Sequence, residues 1–194
     1  MAKKSTRNTR GRIVSAAWKL FYEQGYEDTT VEEIIELSGT SKGSFYHYFD
    51  GKDALLSTLS SLFDEKYEEL TGLLTPEMTA MEQLLFLNRE LFHMIEDSIS
   101  LDLLARLYST QLTTNGEKHL LDHNRIYYKL LRKIIAKGQA EGQLSSRSNV
   151  NEMVKLYALC ERALLYDRCL CAGEYALTEY SAKVLPGFLS SFLP

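Results

Sequence analysis

Residues 29–56, TTVEEIIELSGTSKGSFYHYFDGKDALL, hold two short helical patterns joined by a glycine turn, and a third pattern starts directly after them. Thr30 stands where an N-cap belongs, and Glu33 follows three residues on, the spacing of a capping box. Val31, Ile34 and Ile35 give the first helix an apolar face, and Ser38-Gly39-Thr40 ends it. In the second helix, from about Ser41 to Phe49, Phe45 and Phe49 lie four apart and share one face. Its remaining positions are Lys42, Gly43, Ser44, Tyr46, His47 and Tyr48, all small or able to hydrogen-bond. A helix anchored by two phenylalanines that turns hydroxyls, an imidazole and an ammonium outward is built to touch something polar. In second place in a helix-turn-helix, it is expected to enter the major groove of DNA.

The run resembles the DNA-binding domain of the tetracycline-repressor (TetR) family of bacterial regulators. The matching residues are Thr29-Thr30, Gly39, Ser41-Lys42-Gly43, Phe45-Tyr46-His47-Tyr48-Phe49 and the Lys52-Asp53-x-Leu55-Leu56 tail. The preceding segment, Ile13 to Gly25, matches too, with its Ala16-Ala17 pair, Leu20-Phe21 and the closing Gly25-Tyr26. The likeness covers roughly the first 56 residues. Ile35 and Ser38 both stand where the family usually has alanine, and the bulkier Ile35 is expected to shift how the two helices pack. The resemblance implies an all-α protein: a three-helix head at residues 1–50 and a larger effector-binding and dimerisation body at 51–194, about nine helices in all.

Charge distribution agrees with a DNA-binding head. The chain of 194 residues carries a net charge of −4, which argues against a general nucleic-acid binder. Its first 20 residues, however, contain Lys3, Lys4, Arg7, Arg10, Arg12 and Lys19 and no acid, which leaves the other 174 residues at −10. A basic arm on an acidic body suits local attraction to phosphate. Cys160, Cys169 and Cys171 form no C-x-x-C pair, and an odd count without a secretory pattern suggests reduced thiols in the cytoplasm. The N-terminal stretch has no apolar signal region, and no uncharged apolar run approaches the ~20 residues of a membrane span.

The rest reads as successive helices. Asp50 is placed to cap a long fourth helix carrying Leu55, Leu56, Leu59, Leu62, Phe63, Tyr67 and Leu70. Pro76 breaks the chain, and Thr79-x-x-Glu82 starts a helix. Ser100 opens a shorter one over 101–112, and Thr114-x-x-Glu117 is expected to cap another that reaches about Glu141. Asn149-x-x-Glu152 opens the eighth, and a ninth runs from about Thr178 with a kink at Pro186-Gly187.

Affinity for DNA comes mostly from phosphate contacts, and sequence preference from base edges. The resemblance implies that Tyr46, His47 and Tyr48 face phosphates, with Thr30 adding a hydroxyl and helix-end amides and Lys52 a charge. Lys42, Gly43 and Ser44 match the positions nearest the bases, where Lys42 would donate to guanine and Gly43 would let the backbone approach, and Ser41 is a further DNA-binding position. Arg7 and Arg10 would reach the flanking backbone or minor groove. A single recognition helix reads only a few base pairs. Two-fold pairing that places two of them ~34 Å apart on a palindromic operator is therefore expected. The apolar eighth and ninth helices (Met153, Val154, Leu156, Leu159, Leu164, Leu165; Tyr180, Val184, Leu185, Phe188, Phe192) are the implied homodimer interface.

A small-molecule effector would bind between the middle helices, where apolar walls need a few polar groups. The candidates are His93, Tyr108, Gln111, Asn124, Arg125, Tyr127, Tyr128, Tyr157, Glu161 and Arg162. The plainer expectation for Glu161 and Arg162, which interrupt an apolar stretch, is an exposed or dimer-edge salt bridge. A metal reading starts from His119 and His123, four apart with Glu117 and Asp122 nearby and His93 as a third ligand; the plainer reading is a pair of surface histidines. No H-E-x-x-H run, G-x-S-x-G elbow, Walker loop or dinucleotide fingerprint occurs, so neither an enzyme nor a bound cofactor is expected. Cys160 as a nucleophile has no histidine near it in sequence, and a cysteine redox sensor is a further alternative. The sequence thus predicts a homodimeric, ligand-responsive DNA-binding regulator, most simply a repressor. A ligand-blind DNA-binding dimer is the main alternative.

Overall fold

The computed structural model describes the backbone of residues 2–113 and 118–194, and side chains from Thr9 onward. Among the described residues the regular structure is entirely helical: ten α-helices and two short 3-10 turns. The expected all-α class stands. The side chain of Arg7 and the predicted cap Thr114-x-x-Glu117 lie outside the described residues.

The chain divides into two compact units, Met1–Ser61 with Ser98–His119, and Leu62–Asp97 with Leu120–Pro194. The first unit holds α1 (Ala2–Gln24), α2 (Val31–Ser38), α3 (Lys42–Tyr48), α4 (Lys52–Leu56) and α7 (Leu101–Thr113). Its core is Ile13, Ala17, Phe21, Tyr26, Ile34, Phe45, Phe49, Leu55, Leu56 and Leu103, all buried. Val31 and Ile35 pack against that core only partly, so the extra bulk of Ile35 sits at its margin.

Local chemistry sets the boundaries. The Thr30 capping box forms in both directions, and Gly39 ends α2 at φ +59, a left-handed conformation that glycine adopts without strain. The expected long fourth helix is divided, into α4 and α5 (Leu59–Thr71). The cause lies at Ser57 and Thr58, whose hydroxyls donate to the carbonyls of Ala54 and Leu55 at 2.8 and 2.6 Å, three residues back. Trp18 Nε1 holds Thr58 Oγ1 in that position at 2.8 Å. Nor is Asp50 the cap. Gly51 precedes α4, with no side-chain cap bond.

The second unit holds most of α5 together with α6 (Ala80–Ser98), α8 (Ile126–Ala140), α9 (Val150–Leu170) and α10 (Leu177–Leu189), which runs through Pro186. The expected caps at Thr79 and Asn149 both form. The helix expected from 114 to 141 instead begins at Ile126. Before it, the Asp122 carboxylate and carbonyl accept the N–H groups of Asn124 and Arg125, which closes a turn at 122–125. Neither α8 nor α10 has a capping side chain of its own. Asp64 reaches the N-terminus of α8 and also takes the Arg125 guanidinium at 3.0 and 3.1 Å. Glu96 accepts from the Leu177 and Thr178 N–H groups, at 2.5 and 3.0 Å, at the start of α10. Each helix is thus capped by a carboxylate from another helix, where the positive end of its dipole favours negative charge.

Candidate functional site

On α3 the pattern read from sequence becomes a division between core and surface. Phe45 and Phe49 are buried with ring centroids 6.0 Å apart, while Ser41, Lys42, Gly43, Tyr46 and His47 are exposed. Ser41 caps α3 by accepting the Ser44 N–H at 3.1 Å, and the two hydroxyls are 2.9 Å apart. Lys42 Nζ lies 3.2 Å from the Glu32 carboxylate, an ion pair open to solvent on both sides. The Cβ that would be added at Gly43 meets nothing nearer than Ser41 Oγ at 4.0 Å, so the packing of the unit does not demand glycine there. Tyr48 is half-buried against the core, its ring 4.8 Å from His47. Thr30 lies exposed at the N-terminus of α2, its hydroxyl bonded to Glu33 at 2.8 Å.

Lys52 departs from the expectation of a free charge. Its ammonium donates to the carbonyls of Tyr26, Thr29 and Glu27 at 2.6, 2.8 and 3.2 Å, and lies 4.3 Å from the Tyr26 ring centroid. Three donors meet three acceptors, so the side chain clamps the loop between α1 and α2. The Tyr26 hydroxyl donates to Asp53, and the Arg106 guanidinium lies over the same ring, 5.0 Å from its centroid. Arg12, counted from sequence as part of a basic arm, also has an internal task. It donates to the carbonyls of Ser38 and Gly39 at 2.9 and 2.5 Å, where α2 ends. Arg10 lies 5.5 Å from the Phe49 ring centroid, beside the end of α3.

The ten effector candidates scatter. His93 is exposed and 2.7 Å from Asp97; Asn124 is exposed in the turn before α8; Tyr108 and Gln111 are half-buried in the first unit. Tyr127, Tyr128, Tyr157 and Glu161 are buried in the second unit. The salt bridge expected of Glu161 and Arg162 does not form. Glu161 turns inward, accepting from Asn88 Nδ2 at 2.8 Å and from the Tyr127 hydroxyl at 2.6 Å, while Arg162 reaches the Tyr128 hydroxyl at 3.2 Å. Burial pushes the Glu161 carboxyl above its ordinary range, against the pull of these donors.

A groove of about 640 Å³ opens in the second unit between α6 and α10. Met78, Leu85, Phe86, Ala182 and Pro186 form its apolar walls, the Asn88–Ser181 pair lies in its floor, and Glu77, Glu82 and Arg89 edge it. None of the ten candidates lines it. Sequence reasoning missed it because its walls come from two helices about 100 residues apart, and each wall reads alone as ordinary amphipathic surface.

Two alternatives lose their premises. His119 lies in a 3-10 turn and His123 in the turn after it, so they do not share an α-helical face. Among the described residues no cluster of three or more His, Cys, Asp or Glu side chains is arranged to hold a metal. Burial and the Glu161 charge push the Cys160 thiol up to about 11, which leaves little thiolate for nucleophilic or redox chemistry. No described helix is long and apolar enough to cross a membrane.

Residues 13–59 match the model of the bacterial regulatory proteins, tetR family. The chain is 36% identical over 62 residues to the regulator QacR of Staphylococcus aureus, a stretch covering 32% of this chain and 33% of QacR. The matched stretch spans about a third of the length of such curated relatives. Among solved structures, the TetR-family repressor FadR of Thermus thermophilus, in complex with lauroyl-CoA, superposes with a TM-score of 0.74 at 25% identity, covering 95% of both chains. FadR of Bacillus subtilis, in complex with stearoyl-CoA, gives 0.68 at 22% identity over 94% of this chain and 99% of its own. Residues 13–59 thus carry the pattern of the tetR-family DNA-binding segment, on a fold that follows that of solved TetR-family regulators over nearly the whole chain.

Proposed function

We propose that the protein is a transcriptional regulator that binds a palindromic operator as a homodimer, acts as a repressor in the cytoplasm, and is released by a small-molecule effector. The observation that carries this reading is the exposed face of α3. Lys42, Gly43, Tyr46 and His47 are exposed along one side of the helix, whereas Phe45 and Phe49 are buried and anchor it in the core. Ser41 and Ser44 flank that face, with Thr30 and the half-buried Tyr48 as the outer contacts.

Pairing is supported by α9. Leu159, Tyr166 and Leu170 are 53%, 45% and 66% exposed, and with Ala163 they fall on one stripe at helical spacing. On α10, Tyr180 is 40% exposed. An apolar stripe of this kind marks a contact surface. Effector control is supported by the body groove and by the acyl-CoA ligands of the two FadR structures. Occupancy of the body would favour one geometry of the dimer, and a change in spacing between the two α3 helices would lose phosphate and base contacts together. Operator selection from random DNA with the full chain, at stated salt, tests the reading. Recovery of a two-fold symmetric site bound by two chains is the expected result, and no binding at moderate salt would overturn it.

A further inference from the structure

We propose that the α6–α10 groove is an effector site for a cationic amphiphile, a molecule with one positive charge on an apolar body; this deepens the regulator reading and rests on it. The volume of about 640 Å³ lies within the range of ~300–1,000 Å³ for small-molecule sites, and the make-up of apolar walls with a few fixed polar groups is theirs as well. Phe86, Leu85 and Met78 on one side and Ala182 and Pro186 on the other would take the apolar body. The floor is held by hydrogen bonds, because Ser181 donates to the Asn88 side-chain Oδ1 and Asn88 Nδ2 in turn donates to Glu161.

The charges at the edge select the sign of the ligand. The Glu77 carboxyl is held below its ordinary range by a hydrogen bond from Thr75, and that of Glu82 by its capping bonds from Thr79, so both are ionised at neutral pH. Among the described residues lining the groove the one base, Arg89, is already matched. Its guanidinium is 2.8 Å from Glu90 and stacks on Phe86 at 5.5 Å. An anionic head group would therefore meet two carboxylates and a cation that already has a partner. An ammonium would meet two carboxylates whose other contacts are only hydrogen bonds.

The site does not compete with pairing. Residues two apart on an α-helix point ~200° apart, so Ala182 on the groove wall and Tyr180 and Val184 lie on different sides of α10.

Isothermal titration of the full chain with dodecyltrimethylammonium and with laurate, both below their micelle concentrations, tests the assignment. The variants Ala182→Trp, which fills the groove from an exposed helix position, and Glu77→Gln/Glu82→Gln, which keeps a capping side chain at 82, are run beside the parent. The ammonium is expected to bind once per chain and at least tenfold tighter than laurate, to lose binding in Ala182→Trp, and to weaken about tenfold in the double glutamine variant. Equal or tighter binding of laurate, or ammonium binding unchanged in both variants, would overturn the proposal. Operator binding by the unliganded protein is measured in parallel. Its absence would sink the regulator reading without touching the groove result, whereas operator binding with no ammonium binding would sink the groove alone.

Discussion

Asn88 and Glu161, 73 residues apart in sequence, meet in the core of the second unit with Asn88 Nδ2 2.8 Å from Glu161 Oε1. Both are buried, and the carboxyl has no cation bonded to it. Desolvation raises its pKa above the ordinary 4.5 although Tyr127 and Asn88 favour the ionised form. The folded protein therefore holds this proton to higher pH than the unfolded chain does. Stability is greatest below the ordinary carboxyl pKa and falls as pH rises through the folded value. Glu161→Gln removes that slope while keeping the shape and an acceptor for Asn88. The difference in melting temperature between variant and parent is expected to grow in the variant's favour from pH 4 to pH 8. A difference that stays flat across that range would show that Glu161 does not titrate as its burial implies.

Glu96 stands in for the missing cap of α10. It takes two helix-end N–H groups and the Thr178 hydroxyl, and the Arg168 guanidinium lies 3.3 Å from it. Burial pushes its carboxyl up, but those donors outweigh the effect and the group stays below its ordinary range, ionised at neutral pH. Glu96→Ala is expected to cost about 1–2 kcal/mol, the range for loss of a cap. The cost should shrink as pH falls below the ordinary carboxyl range, because the parent then loses the same charge. Urea unfolding at pH 7 and pH 4 measures both parts.

At Gly138 on α8, an added Cβ would sit 2.5 Å from Ala80 Cβ and 2.8 Å from Leu144 Cδ1, too close for any carbon. Helix propensity alone would make alanine better by about 1 kcal/mol. The contact reverses the sign. Gly138→Ala is expected to destabilise by about 1–3 kcal/mol, the cost of overpacking. A variant as stable as the parent would mean that α6 and α8 can separate freely here.

What the sequence made legible was local. The Thr30, Thr79 and Asn149 caps, the Gly39 stop and the Phe45/Phe49 anchor each depend on residues within four positions of one another, so spacing alone identifies them. What it hid was long-range. Ser57 and Thr58 split a helix by back-bonding that needed Trp18 to fix it, and Asp64 and Glu96 cap helices roughly 60 and 80 residues away. Arg12 and Lys52 illustrate the same limit on charge reasoning. A base counted as available to phosphate is available only if no backbone carbonyl takes it first. Glu161 went the other way, since a carboxylate next to Arg162 looks paired in sequence, yet one helical residue step of ~100° separates the two.

Lys52 gives a prediction from that limit. With its donors on Tyr26, Glu27 and Thr29, Lys52→Ala leaves three carbonyls without their partner. The expected result is a loss of about 1–3 kcal/mol of stability, with the dependence of operator affinity on salt unchanged. A phosphate contact would instead lower the salt slope by about one unit and leave the melting temperature alone. The two readouts separate the roles.

Gly43 offers the sharpest test of the DNA-facing assignment, because stability and binding should move in opposite directions. It lies within α3, where alanine is better than glycine by about 1 kcal/mol. The space around its added Cβ is open, with Ser41 Oγ the nearest atom at 4.0 Å, so nothing in the fold resists the methyl group. Gly43→Ala should therefore raise or preserve the melting temperature. If α3 presses this face against the major groove, the same methyl intrudes where the backbone approaches the base edges, and operator affinity should fall at least about tenfold. Thermal unfolding and fluorescence anisotropy on the selected operator decide the matter together. A more stable protein that binds less tightly places Gly43 at the interface. A variant that gains stability and keeps full affinity shows that α3 meets DNA with a different face, and the roles of Lys42 and Ser44 fall with it.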